Sequence, residues 1–241
     1  MLHKTRGIAL HTISFSETSL IVKIYTEAFG LSSYIVKGSR SHRSKMRPVF
    51  FQPLTLLELD VYHRGKPSLQ TIKEIRIPEP YHSIPYDIRK SSIALFLNEL
   101  IYKSLVEEEP NSSLFSFFWN AFLTLDRSME SVSSFHLVFA LKFTTYLGFV
   151  PRMNYQPDRS FFNLREGIFQ KQIPPDAEFL DSRLSEVFFR ILQTSLEEIP
   201  AHPLPASVRN ELLETILLYY RIHIPGIREI VSHKVLHTIL A

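Results

Sequence analysis

Cysteine is absent from the 241 residues. That excludes a disulfide framework, a thiol nucleophile and every zinc site built on thiolates. Glycine is scarce, at 7 residues, and none of it forms a dinucleotide fingerprint. Gly65-Lys66 lacks the upstream glycines of a phosphate-binding loop. A Gly-x-Ser-x-Gly elbow and a His-Glu-x-x-His helix are also missing. No apolar run reaches the roughly 18 residues of a membrane span. The amino-terminal stretch is broken by His11, Thr12 and Ser14, so no signal peptide is expected. These absences point to a cytoplasmic protein that is no enzyme, with no cofactor, no metal and no membrane partner.

What is present is an ordinary globular composition, 45% hydrophobic and 21% charged, with a net charge of only +3. The charge is unevenly placed. Residues 1–80 hold 12 Lys/Arg against 6 Asp/Glu, whereas residues 81–241 hold 15 against 18. A basic first part joined to a mildly acidic second part suggests that the first meets a polyanion.

Period-two alternation with β-branched enrichment predicts strands over 5–15, 19–26, 31–37, 54–62 and 69–77. Glu27-Ala28-Phe29-Gly30 supplies a turn. Five short strands in so few residues predict a small closed barrel, which leaves no exposed edge. Pro78, Pro80 and Pro85 then punctuate the chain, which places a domain boundary near residue 80. Helical periodicity predicts helices over 87–107, 112–127, 132–147, 181–198, 206–223 and 227–240. The third should start from Ser131 or Ser133 and stop at Gly148. Segment 114–125 is apolar nearly all round, which predicts the middle of a helical bundle. The pattern breaks at about 150–179, with a hairpin expected over 160–170 that turns at Arg165-Glu166-Gly167. The fold class is therefore α+β, with a 1–80 barrel and an 81–241 helical domain that carries a small hairpin insertion.

The candidate site lies in the basic part. Segment 37–47 carries Lys37, Arg40, Arg43, Lys45 and Arg47 with no acid and with small residues between the charges. It falls between the third and fourth strands and reads as a mobile loop able to track phosphates. Arg64 and Lys66, between strands four and five, would extend that track on an OB-fold. Among nearby aromatics, Tyr34 and Phe51 are the candidates for stacking on bases. The metal candidate is Glu229, His233 and His237, spaced one turn apart on one helix face. Ile230, Leu236 and Ile239 mark the buried side, so a plain solvated stripe is expected.

Five blocks carry a family resemblance. Ser16-Glu17-Thr18-Ser19-Leu20, Tyr25-Thr26 and Val36-Lys37-Gly38-Ser39-Arg40 resemble the amino-terminal part of the RecO family of bacterial recombination mediators. Tyr146-Leu147-Gly148-Phe149-Val150-Pro151 and Ile227-Arg228-Glu229-Ile230-Val231-Ser232 resemble its helical part. The resemblance implies an OB-fold followed by a helical domain. It implies binding to single- and double-stranded DNA and annealing of complementary strands. It also implies loading of RecA on DNA coated by the single-strand-binding protein SSB, together with RecR, at a nucleoid-associated address in a bacterium. Many members carry a four-cysteine zinc site after the Leu-Gly-x-x-Pro element. Here that region reads Asn154-Tyr155-Gln156-Pro157-Asp158, so the hairpin is expected to be a zinc-free remnant. The resemblance further implies that the acidic, apolar carboxyl-terminal tail of SSB docks on the helical domain. Such a tail needs a cationic rim, for which Lys142, Arg152, Arg209 and Arg221 are the candidates. Two other readings remain open from the residues: a protein-interaction adaptor, and an RNA-binding OB-fold protein.

Overall fold

Five strands form where the alternation predicts them. The computed structural model describes residues 1–39, 46–64, 69–105, 109–129, 131–175, 178–198 and 204–240. β1 (Leu2–Ser14), β2 (Leu20–Thr26), β3 (Gly30–Val36), β4 (Leu56–Tyr62) and β5 (Gln70–Arg76) close into a barrel of order β1-β2-β3-β5-β4. β1 serves two neighbours: Leu2–Ile8 pair with β4 and Gly7–Ser14 pair with β2. A parallel pairing of β3 with β5 completes the closure. This five-stranded barrel is the OB-fold.

Alternate residues fill the barrel: Ala9, Leu20, Val22, Ile24, Tyr34, Val36, Leu57, Leu59, Val61 and Ile72 are buried together. β1 contains a bulge between Ala9 and His11, the usual device for bending a long strand around a barrel. Gly7 sits where β1 leaves one neighbour for the other. A Cβ there would lie 2.7 Å from Ile24 Cγ2 and 2.9 Å from Leu59 Cδ1. We therefore expect Gly7→Ala to cost about 1–3 kcal/mol by overpacking, read as a lowered denaturant midpoint with an unchanged m-value. An unchanged midpoint would show that the core yields at this point.

The apolar helix α2 (Ser112–Arg127) departs from expectation. The chain divides into two compact units, Met1–Pro85 with Leu105–Asp126, and Tyr86–Ser104 with Arg127–Ala241. α2 thus belongs with the barrel, not with the middle of the helical bundle. Its rings have a partner there: Tyr25, outward-facing on β2, lies 6.3 Å from Phe115 and 5.6 Å from Phe118 between ring centroids. The Arg6 guanidinium sits 5.2 Å over Phe115 and 5.0 Å over Trp119, a cation–π arrangement. At the far end, the Asp126 carboxylate accepts 2.9 Å bonds from the N–H groups of His82, Ser83 and Ile84. Burial opposes its charge, yet these donors hold its pKa below the ordinary value.

The second unit holds α1 (Ile88–Ser104), α3 (Phe135–Leu147), α4 (Ser182–Gln193), α5 (Ala206–His223) and α6 (His233–Ile239). It also holds a three-stranded sheet of order β7-β6-β8, from β6 (Phe161–Asn163), β7 (Ile168–Gln170) and β8 (Phe179–Leu180). α3 is the central helix, with Tyr220 of α5 donating to the Ala140 carbonyl at 2.7 Å. It ends at Gly148 (φ 85°) as expected, but its N-cap is Ser134, with no side-chain cap bond.

The hairpin expected over 160–170 is β6–β7, turning at Gly167 (φ 65°). A Cβ on Gly167 would meet the Tyr219 hydroxyl at 2.8 Å. Rings pack the region together: Phe162 lies 4.8 Å from Phe169 and 4.7 Å from Phe188, and Tyr155 stacks on Phe189 at 5.0 Å. Asn154 clamps the Phe169 backbone with both halves of its amide, at 2.9 and 3.0 Å. Aromatic packing and this clamp supply cohesion to a cysteine-free insertion. Among the described residues no helix is long and apolar enough to cross a membrane.

Candidate nucleic-acid interface

Strand pairing sorts the outer surface of the barrel into two faces of different charge. On β1, β4 and β5, Lys4 pairs in register with Asp60, Arg6 with Glu58, and Glu58 with Arg76. These residues and Glu74 line a mixed-charge groove of about 380 Å³. Two of its cations are occupied within the fold. Arg6 forms a two-pronged bond with Glu27 at 2.7 and 2.9 Å, which raises the Arg6 pKa and lowers that of Glu27. Arg76 lies 3.8 Å from Glu74.

The other face, on upper β1 with β2 and β3, differs. His11 pairs in register with Lys23 and Lys23 with Ser33; Ile13 pairs with Ile21, Ile21 with Ile35 and Ile35 with Thr71. No acid occupies any position of β2, β3 or residues 7–14. Lys37 is exposed one residue beyond β3, and Arg47 is exposed just before the 3₁₀ turn Pro48–Phe51. At the end of β4, Arg64 is exposed and its backbone N–H donates to Gln70 Oε1 at 3.0 Å. Arg40, Arg43, Lys45 and Lys66 lie outside the described residues. Cations on an acid-free sheet face suit phosphate contacts, which position a nucleic acid without reading its sequence.

The two expected stacking rings are corrected. Tyr34 is 0% exposed and Phe51 2% exposed, so neither offers a face to a base. Tyr34 shares the inward parity of Val36, and burial pushes its hydroxyl up to about 12. Phe51 is carried into the core by the 3₁₀ turn, where its carbonyl accepts from Thr12 Oγ1 at 3.0 Å. Phe29, on the β2–β3 turn, is stacked on His63 at 3.9 Å. The ring that the sequence reading missed is Phe15, 58% exposed just past β1, next to Ile13 at 47%. The β1 bulge hid it. One extra residue at Leu10 reverses the alternation, so Thr12 is half-buried while Ile13 and Phe15 turn outward.

The four cations expected on the helical part separate into two kinds. Arg209 is 4% exposed and donates to the carbonyls of Leu204 and Leu240; burial lowers its pKa. It is a buried structural group and cannot meet a docking carboxylate. The signal was legible, since Arg209 leads the helical stripe Leu212, Leu213 and Ile216. Lys142 is half-buried, its ammonium donating to the Leu192 carbonyl in the last turn of α4 at 2.9 Å. Arg152 and Arg221 are exposed.

The expected solvated stripe on the last helix is also corrected. His233 is 8% exposed, with Nδ1 2.7 Å from the Ile230 carbonyl and Nε2 3.2 Å from Glu214. His237 Nε2 lies 3.7 Å from the same carboxylate oxygen, whereas Glu229 pairs with Lys234 at 3.8 Å. Among the described residues no group of three acids or histidines converges as a metal site.

A five-stranded OB barrel whose β2 and β3 carry no acid, preceding a helical part, places the chain in the class of OB-fold proteins. Within it, residues 1–81 match the family model described as "Recombination protein O N terminal" and residues 85–229 match "Recombination protein O C terminal". The chain belongs to the recombination protein O family. It is 34% identical over 240 residues to a DNA repair protein RecO of Flavobacterium psychrophilum, covering 99% of both chains. It is 35% identical over 236 residues to that of Phocaeicola vulgatus, covering 98% of both, and 24% identical over 243 residues to that of Porphyromonas gingivalis.

Proposed function

We propose that the protein acts in DNA repair as a recombination mediator that makes and breaks no covalent bond. Its barrel binds single- and double-stranded DNA through the face of upper β1, β2 and β3. By shielding phosphate charge it lets complementary strands anneal. With RecR it helps RecA load on SSB-coated DNA, and its helical part receives the SSB tail, with Arg152 and Arg221 as the exposed cations of that contact. The observation that carries this reading is the contrast between the two barrel faces: acids accompany the cations on β4 and β5, while β2 and β3 have none. Family membership supports the repair context. The working compartment follows as the bacterial cytoplasm, at the nucleoid.

Changing Arg40, Arg43 and Lys45 together to Ala tests the reading. Single-strand affinity is expected to fall at least tenfold at about 50 mM salt, because three phosphate contacts disappear. Stability is expected to stay within about 0.5 kcal/mol of the parent if these side chains are solvated. Equal DNA affinity with normal folding would favour the adaptor reading, and tighter binding of RNA than of DNA in competition would favour the RNA reading.

A further inference from the structure

The face that carries Lys23 and Lys37 is apolar where it meets the β1–β2 turn. Register aligns Ile13 with Ile21 and Ile21 with Ile35, an aliphatic strip about 10 Å across at the usual strand spacing. Phe15 continues it into the turn. The turn backbone is anchored: Phe15 N–H donates to the Ser19 carbonyl at 3.0 Å, and Ser19 N–H donates to Ser16 Oγ at 3.2 Å. Ser39 Oγ donates to the Thr18 carbonyl at 3.2 Å, which fastens the chain after Lys37 to the same turn. The ring is therefore held by a fixed backbone while 58% of its surface faces water. Leaving an aromatic ring and an isoleucine side by side in solvent forgoes hydrophobic stabilisation, which a ligand with flat apolar faces would recover.

We propose that Phe15, with Ile13, Ile21 and Ile35 beside it, is a stacking platform for unpaired nucleobases, and that Lys23 and Lys37 meet the phosphates flanking them. The occupant is argued from charge as well as shape. An apolar strip with Lys23 and Lys37 beside it, on strands without an acid although the turn itself carries Glu17, matches a chain of flat bases on an anionic backbone better than it matches an apolar protein surface. Duplex DNA keeps its base faces stacked on one another, so the platform serves only single strands and sorts them from duplex. This rests on the DNA-binding reading above and adds to it the group that tells one form of DNA from the other.

The test uses the full chain and three probes of equal length: an oligothymidylate, a duplex, and an abasic single strand. Phe15→Ala is expected to weaken oligothymidylate binding roughly tenfold, to leave duplex and abasic affinities within about twofold, and to leave the salt slope unchanged, because no phosphate contact is lost. Phe15→Trp, which keeps a ring, should retain the parent's preference. An equal loss on all three probes, or no loss on oligothymidylate, overturns the platform while leaving DNA binding by the barrel intact. A parent protein that binds none of the probes overturns the DNA-binding reading and the platform together.

Discussion

Raising salt from about 50 to about 200 mM is expected to weaken binding to single-stranded DNA roughly 100-fold. The reasoning counts phosphates. If about five are neutralised, the log–log slope for a single strand is about −3.5. Arg6 should be left out of the count, because it is engaged by Glu27 and by the rings of α2. Lys37, Arg47 and Arg64 are exposed and supply three of the five, and two of the four cations Arg40, Arg43, Lys45 and Lys66 are expected to supply the rest. Titrations at four salt concentrations check the slope. A value near zero would mean that the acid-free face does not bind through charge, and the adaptor reading would gain.

Acidification is expected to destabilise the helical part steeply, through His136 on α3. Its imidazole is 1% exposed, and its Nδ1 has no hydrogen-bond partner among the described residues. Burial, reinforced by the Arg209 guanidinium and by His237, pushes its pKa down to about 3. The unfolded chain takes up that proton near pH 6.5, well before the folded protein can. Stability is thus whole above about pH 6.5 and falls by about 1.4 kcal/mol per pH unit from there toward pH 3. Denaturant midpoints measured from pH 7 to pH 4 report the slope. His136→Phe should flatten it, since the ring already packs edge-on against Phe96 at 6.0 Å and an apolar ring has no proton to gain. An acid limb of equal steepness in that variant would assign the effect to other groups.

Residue pattern made much of this architecture readable in advance, and the misses have physical causes. The five strands and the β6–β7 turn at Gly167 follow from local periodicity and turn chemistry, which tertiary contacts did not override. Inward parity made Tyr34 legible as core, had the alternation through Val36 been followed. The position of Arg209 on an apolar helical stripe was equally available. Two features were beyond local pattern. A bulge inserts one residue without changing composition, so the outward turn of Ile13 and Phe15 had no signature in the strand itself. A helix that is apolar all round announces burial but not its partner, and α2 joined the barrel because Tyr25 and Arg6 present an outer surface that its rings fit.

Strand annealing tests the central claim most directly. Two complementary labelled oligonucleotides are mixed at about 50 mM salt with the full chain, and duplex formation is followed in time. The account predicts annealing far faster than the spontaneous rate, lost on changing Arg40, Arg43 and Lys45 to Ala and suppressed by salt in parallel with binding. Annealing at the spontaneous rate at every protein concentration, by a protein shown to be folded, would contradict it.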